Sequence, residues 1–157
     1  MKLLKKIFLG LLLVLVILQF FRPEKNTTQG NHTKLFLDET NPPADVKLIL
    51  EQACYDCHSN NTVYPWYNNV APFSFWLSDH IKDGKKHLNF SDWESYETKK
   101  KDHKLDEVIE TVTDDEMPLK EYTWTHSNAR LTAEQRNNVV LWAKSTRLLY
   151  QAKMLQD

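Results

Sequence analysis

The only two cysteines of the chain, Cys54 and Cys57, are separated by two residues, and His58 directly follows the second one. This spacing constrains the fold, because it places three side chains that bind metals and cofactors within about one helical turn. A disulfide between residues this close would close a short loop and would constrain the chain little. The core must therefore form by apolar packing instead of depending on a disulfide. Residues 54–58 are then a candidate binding site for a metal or cofactor.

Residues 54–58 read CYDCH, which is the C-x-x-C-H pattern of covalent haem attachment. The two thiols are close enough for each to form a thioether with one of the two haem vinyl groups, while the adjacent histidine is brought under the iron. We therefore expect one covalent haem c on Cys54 and Cys57, with His58 as the proximal iron ligand.

Three other interpretations of the two cysteines stay open. A redox dithiol typically follows a strand in a βαβ unit, and the sequence has no such pattern. A bare disulfide is the second alternative. A structural zinc site is the third, and it would need His80 or His87 as a fourth ligand.

The iron of an electron-carrying haem usually takes a second axial ligand, most often methionine or histidine. Two methionines follow the haem motif, and Met154 lies close to the chain end, where order is poor. Met117 lies in a loop after a predicted helix, and Pro118 restricts its backbone, so we predict Met117 as the distal iron ligand. The alternatives are a gap-filling apolar role for Met117, an open iron position, or one of the rival ligands His80, His103 and His126.

The N-terminus has the layout of an export segment. Three lysines lie within the first six residues, an uncharged run extends from Ile7 to Phe21, and Arg22 closes it. The run is shorter than the ~20 residues of a typical membrane-spanning helix, although flanking residues can extend it. We predict that residues 1–22 are an uncleaved signal anchor. A cleaved signal peptide and a buried core helix are the alternatives.

Export would place the rest of the chain outside the cytoplasm, because the lysines stay inside. We expect the haem domain in the periplasm, anchored to the inner membrane, or free in the periplasm if the segment is cleaved. Residues 1–22 hold four of the 20 basic residues and none of the 21 acidic ones, so the remainder carries a net charge of −5. This charge does not favour a nucleic-acid partner.

Residues 23–42 are polar and end near a double proline, so they predict a linker, with the haem domain over residues 43–157. Apolar residues at helical spacing predict helices from about Ala44 to Cys54, from Ser74 to Lys82 and from Leu105 to Val112. Ser91 is predicted to cap a short turn. No alternating run of strand length occurs, so the sequence predicts an all-α domain.

The last helix carries the clearest signals. Thr132 and Gln135 form a capping-box pattern at its start. The apolar stripe predicted to be buried consists of Leu131, Val139, Trp142, Ala143 and Leu149. Ten of the 18 aromatic residues lie between Tyr55 and Tyr96. We expect these aromatic side chains to wall the haem and exclude water from it.

Several motifs together resemble a known family, the small haem-binding domain family of bacterial exported c-type cytochromes. The matching segments are 54–60 (CYDCHSN), 64–67 (YPWY), 71–72, His80, Gly84, 87–93 (HLNFSDW), 116–119 (EMPL), Tyr122 and 126–131 (HSNARL). The resemblance covers about residues 43–143. It implies one covalent haem, a cytochrome c-like fold, an N-terminal export or membrane segment, and the Met117–Pro118 step as the distal ligand site.

The expected function is therefore electron transfer on the extracytoplasmic side of a membrane, with a redox partner protein that the sequence does not identify. Methionine ligation would raise the reduction potential, as in other cytochromes c. The first alternative is a haem enzyme or sensor, such as a peroxidase, with a displaceable sixth ligand. The second is a structural zinc module.

Overall fold

The computed structural model describes residues 1–156, and these form eight α-helices with no strand beyond one isolated antiparallel bridge between Thr27 and Asn61. The prediction of an all-α fold is confirmed. The helices are α1 (Lys2–Leu18), α2 (Lys34–Thr40), α3 (Ala44–Ala53), α4 (Tyr55–His58), α5 (Phe73–His87), α6 (Thr98–Thr113), α7 (Lys120–Thr125) and α8 (Ala133–Met154). Short 3₁₀ turns cover Trp66–Asn69, Phe90–Ser95 and Ser127–Ala129.

The N-terminal helix α1 has no polar or charged side chain after Lys6, and it buries none of its side chains against the rest of the protein. Its 17 residues contain the uncharged run identified in the sequence only as far as Leu18. Within the part of the chain that the structure describes, no helix is long and apolar enough to cross a membrane. The membrane anchor therefore stays a prediction.

The segment predicted to be a linker contains a helix that packs into the core. In α2, Phe36 is fully buried and meets the rings of Phe90, Trp93 and Trp142, with centroids 4.6, 5.1 and 6.0 Å away. One aromatic side chain in a polar segment gives too weak a periodic signal to predict a helix. Packed residues thus begin before Pro42.

Helices α6 and α8 pack along each other and close the other side of the core. Polar contacts reinforce them, since Arg147 binds Asp102 at 2.9 Å and also pairs with Asp106. The predicted capping box is confirmed, because Thr132 accepts from the Gln135 amide and the Gln135 side chain accepts from the Thr132 amide.

The predicted buried stripe of α8 is right at three positions and wrong at its end. Val139, Trp142 and Ala143 are buried, whereas Leu149 is 68% exposed and Tyr150 takes the inward position. Tyr150 accepts a hydrogen bond from Trp93 Nε1 at 3.1 Å and donates one to Glu39 at 2.9 Å. Because its hydroxyl has hydrogen-bond partners there, Tyr150 can take the buried position that the apolar pattern assigned to Leu149.

Two further expectations need correction. Ser91 does not cap the 3₁₀ turn of Phe90–Ser95; Asn89 does, by accepting from the Ser91 amide at 3.1 Å. The predicted helices within 74–82 and 105–112 both exist, but α5 and α6 are longer than predicted. Their additional turns are rich in charged residues, which apolar spacing does not register.

Candidate functional site

Residues 54–58 form the junction of two helices. Cys54 ends α3 and begins α4 with a non-helical backbone, φ −120° and ψ −44°. The His58 amide donates to the Cys54 carbonyl at 2.9 Å, which closes a single helical turn. This turn holds both cysteines and the histidine together, as their spacing predicts.

Gly84 of α5 allows the closest approach to this turn. A Cβ atom at position 84 would lie 2.7 Å from the Cys57 carbonyl oxygen and 3.0 Å from Cys57 Cβ. Such distances are too short for any side chain, so only glycine lets α5 pack directly on α4. The glycine therefore has a structural role that the sequence motif alone did not reveal.

His58 is oriented by the chain segment that follows α5. Its Nδ1 lies 3.0 Å from the Leu88 carbonyl oxygen, to which the ring N–H donates. Burial lowers the pKa of His58, although the bond to Leu88 opposes this effect. The ring is therefore neutral at physiological pH, and Nε2 keeps its lone pair for a metal ion.

Cys54 and Cys57 are partly buried and both are free thiols. Burial and the neighbouring Cys57 raise the pKa of Cys54 to about 12. Burial and the charge of Asp56 raise the pKa of Cys57 to about 11. Both thiols thus stay protonated and weakly nucleophilic, unlike the acidic thiols of disulfide oxidoreductases.

The two cysteines and His58 line a cavity of about 540 Å³ between α3, α5, α6 and α8. Ligand pockets for small molecules and cofactors have volumes of this order. Most of its wall surface is apolar, although charged and polar side chains such as Asp83, His87, Glu107 and Glu110 also line it. The aliphatic residues that line it are Ile49, Leu50, Ala53, Leu88, Val108, Val112, Leu119, Leu131 and Val139.

Met117 lines the same cavity, together with Pro118 and Leu119. The loop that presents it starts at the end of α6, where the amides of Glu116 and Met117 donate to the Thr111 carbonyl at 2.9 and 3.1 Å. The loop thus brings the predicted distal ligand into the cavity of the Cys54–His58 turn. The cavity therefore has two kinds of iron donor in its wall, an imidazole and a thioether.

The rival histidines lie in different places. His80 lines the cavity, although its Nδ1 lies 2.9 Å from the Trp76 carbonyl. His103 lies on an exposed face of α6, where it contacts Glu107 at 3.3 Å. His126 stacks on Tyr122 with ring centroids 4.0 Å apart. Of these three, only His80 is part of the cavity wall.

The side chain between the cysteines ties the motif to α7. Tyr122 donates to Asp56 Oδ2 at 2.7 Å, while Asp56 Oδ1 accepts from the Val63 amide at 2.8 Å. Burial is the main cause that raises the pKa of Tyr122, and Asp56 adds to it. Tyr122 also lines the cavity. Sequence reasoning noted Tyr122 only as part of the family resemblance.

A buried amide network holds the loop after the motif. Asn89 donates to Asn60 Oδ1 at 2.9 Å and to Asp92 at 2.7 Å, and the Asn60 amide donates to Ser91 Oγ at 2.9 Å. These contacts join two segments that look separate in the sequence, 54–60 and 87–93. The network keeps the Leu88 carbonyl next to His58, and no spacing rule could have found it.

The aromatic residues do not wall the cavity as expected. Of the ten between Tyr55 and Tyr96, only Phe90 lines it. Trp93 is fully buried in the core, whereas Trp66 is 80% exposed. The physical reason is that large rings fill a core most efficiently, and the cavity keeps its volume because its wall consists of smaller side chains.

The zinc alternative lacks its ligand set. Among residues 1–156, no three side chains of His, Cys, Asp or Glu lie close enough together to hold a metal ion. The donors that are present fit a haem better. A flat apolar macrocycle suits the mainly apolar cavity, and the His58 imidazole with a free Nε2 suits its iron.

Comparisons with known proteins agree with this fit. A search of curated proteins and a search of solved structures give no match. The sequence profile of one family, described as the Haem-binding domain, matches residues 13–145. This range includes every residue that lines the cavity. By this match over most of its length, the chain belongs to the Haem-binding domain family.

Proposed function

We propose that the protein is a c-type cytochrome that carries one covalent haem and transfers single electrons on the outer side of the inner membrane. The observation that carries this proposal is that the C-x-x-C-H turn and Met117 line the same cavity. Bound haem would supply an iron that alternates between the ferrous and ferric states. The remaining steps concern what the chain's own residues do.

Cys54 and Cys57 would hold the haem through one thioether each, and His58 would bind the iron through Nε2. The hydrogen bond from His58 Nδ1 to Leu88 supports this role, because it fixes both the tautomer and the ring orientation. The protonated, buried thiols fit attachment by a dedicated maturation process rather than spontaneous reaction. Met117 would supply a second iron ligand through its sulfur.

An electron carrier agrees better with this site than an enzyme does. A haem enzyme needs an open or easily displaced iron position, whereas Met117 lies in a loop fixed to the Thr111 carbonyl. Titratable side chains such as Asp83, His87 and Glu107 also line the cavity, so the preference for an electron carrier rests on Met117. Anchoring through residues 1–22, with the haem domain in the periplasm, completes the proposal.

Covalent attachment is tested on the full chain produced together with a haem c maturation system. We expect haem to stay with the polypeptide on a denaturing gel, and the intact mass to increase by one haem. Replacing Cys54 and Cys57 together with alanine should abolish both signals. Release of haem into acid acetone from the unaltered chain would contradict covalent attachment.

Electron transfer is tested by visible spectroscopy and redox titration of the same product. We expect a low-spin haem with a sulfur-to-iron charge-transfer band in the far red and one reversible single-electron transition. A high-spin spectrum, together with turnover of hydrogen peroxide, would instead support the enzyme alternative.

A further inference from the structure

We infer that the haem-binding domain itself lies on a lipid surface, through an uncharged patch formed by Val63, Trp66, Val70, Phe73 and Trp76. This contact is separate from the predicted anchor in residues 1–22. The two should act together and hold the cavity at a fixed orientation to the membrane. The occupant that we assign to the patch is the phospholipid bilayer.

The first observation is that large apolar side chains are exposed in a segment of the sequence that has no charged residue. Trp66 is 80% exposed and Phe73 55% exposed. Residues 57–78 contain no Asp, Glu, Lys or Arg, although 26% of the whole chain is charged. An exposed apolar area of this kind usually marks a protein or membrane contact.

The second observation is the position of this patch at the end of α1. The Gln19 side chain donates to the Ala71 carbonyl at 3.2 Å and accepts from the Ala71 amide at 3.0 Å. Phe20 and Phe21, which follow, are also exposed. With α1 in the lipid, the chain leaves the bilayer near Gln19. The patch lies next to that point.

The third observation is that the chain after α1 is bound to the domain surface. The Asn26 amide donates to the Tyr64 hydroxyl at 2.6 Å, and its side chain donates to the Ser59 carbonyl at 2.9 Å. Lys85 donates to the Asn26 side chain at 2.7 Å. Residues 19–26 therefore follow the domain surface instead of forming a free tether, and the patch stays next to α1.

The chemistry of the patch favours lipid over a protein partner. Tryptophan, tyrosine and phenylalanine are favoured where water meets the hydrocarbon region, because their rings are apolar and Trp and Tyr carry a polar group. Lys25 lies 5.4 Å from the Tyr64 ring centroid, next to the patch, where it can attract lipid phosphates. The patch continues the apolar surface of α1, so we assign the same occupant, lipid, to both.

The exposed leucines of α8 provide a comparison within the chain. Leu141, Leu148 and Leu149 are also more than half exposed. They alternate with Lys144 and Arg147, whereas residues 57–78 contain no charged residue. If exposure alone caused lipid contact, α8 would contact lipid as well.

The test is photolabelling of the full haem-loaded chain in phosphatidylcholine nanodiscs that contain a phosphatidylcholine with a diazirine on its acyl chain. Labelled peptides are identified by mass spectrometry. We expect label in α1 and in residues 63–76, several-fold above the label in residues 141–149. Label confined to α1, or absent from both regions, would overturn the inference and leave a protein as the candidate occupant.

A pair of double variants makes the test specific. Replacing Trp66 and Phe73 together with serine should remove most of the label from residues 63–76 while the haem spectrum stays unchanged. Replacing Leu148 and Leu149 together with serine is the matched control and should not change labelling of the patch. Equal loss of label in both variants would contradict the inference.

Discussion

The aromatic core and the cavity beside it share Phe90, yet they are built differently. On the core side, Phe36, Trp93 and Trp142 fill the space with large rings in direct contact. On the cavity side, aliphatic residues leave about 540 Å³ open. The protein thus closes one region with its own side chains and keeps the other for a cofactor. Substitutions in the core should affect folding first, and those in the cavity should affect the haem first.

The largest effect on stability is expected for Trp93→Ala. Trp93 is fully buried among Phe36, Phe90 and Tyr150, so its loss leaves a cavity and should lower the free energy of unfolding by about 3 to 5 kcal/mol. Denaturant titration measures this change. The folded fraction should keep its haem spectrum, because the ring does not line the cavity.

The control for this prediction is Trp66→Ala, which removes the same ring from an exposed position. It should change the free energy of unfolding by less than about 0.5 kcal/mol. A loss below about 1 kcal/mol for Trp93→Ala would show that the aromatic core is not the main stabilising region.

The second largest effect is expected for Gly84→Ala. The added Cβ would lie 2.7 Å from the Cys57 carbonyl, so α5 must move away from the haem motif, at a cost of about 1 to 3 kcal/mol. The yield of attached haem should also fall, as measured by haem staining against total protein. Gly10→Ala is the matched control, because nothing beyond the local backbone of its own helix would lie within 4 Å of the added Cβ. If both variants behaved alike, close packing of α5 on α4 would not be needed.

A smaller effect is expected for Tyr122→Phe, which removes the 2.7 Å hydrogen bond to Asp56 from the cavity wall. The free energy of unfolding should fall by about 1 kcal/mol. Tyr67→Phe removes an exposed hydrogen bond to Thr125 and should cost less. A larger loss for Tyr67→Phe than for Tyr122→Phe would contradict the assigned role of the Asp56 contact.

The stability at alkaline pH tests one tyrosine from each region, Tyr150 in the core and Tyr122 in the cavity wall. Burial raises the pKa of both Tyr150 in the core and Tyr122 in the cavity wall. The unfolded chain releases these protons near pH 10, whereas the folded protein keeps them. The free energy of unfolding should therefore fall as pH rises above 10. Tyr150→Phe and Tyr122→Phe should each reduce this slope, and an unchanged slope in both would refute the argument.

A small effect on folding, with the sharpest effect on the haem, is expected for Met117→Leu. Leucine keeps the volume, so the free energy of unfolding should change by less than about 1.5 kcal/mol. Loss of the sulfur should remove the far-red band and lower the reduction potential. Met154→Leu should change neither. Retention of an unchanged low-spin spectrum in Met117→Leu, with its loss in His80→Ala, would identify His80 as the distal ligand.

The sequence predicted much of the helical framework because its signals are local. Helix α3 ends next to the cysteines as its apolar spacing indicates, and the Thr132–Gln135 capping box starts α8. Helix α2 escaped prediction, since its one buried ring, Phe36, contributes only through partners distant in the chain. Tyr150 is buried in place of Leu149 for the same reason, because its hydroxyl bonds to Trp93, a residue distant in the chain.

The sequence by itself determined the haem motif, because Cys54, Cys57 and His58 lie within one helical turn and need no distant residue to meet. Only the tertiary structure decided what surrounds that turn. The Leu88 carbonyl orients His58, Gly84 allows α5 to approach, and Met117 enters the cavity from the far end of α6. These contacts depend on packing between separate helices, whose geometry is not encoded in any local pattern.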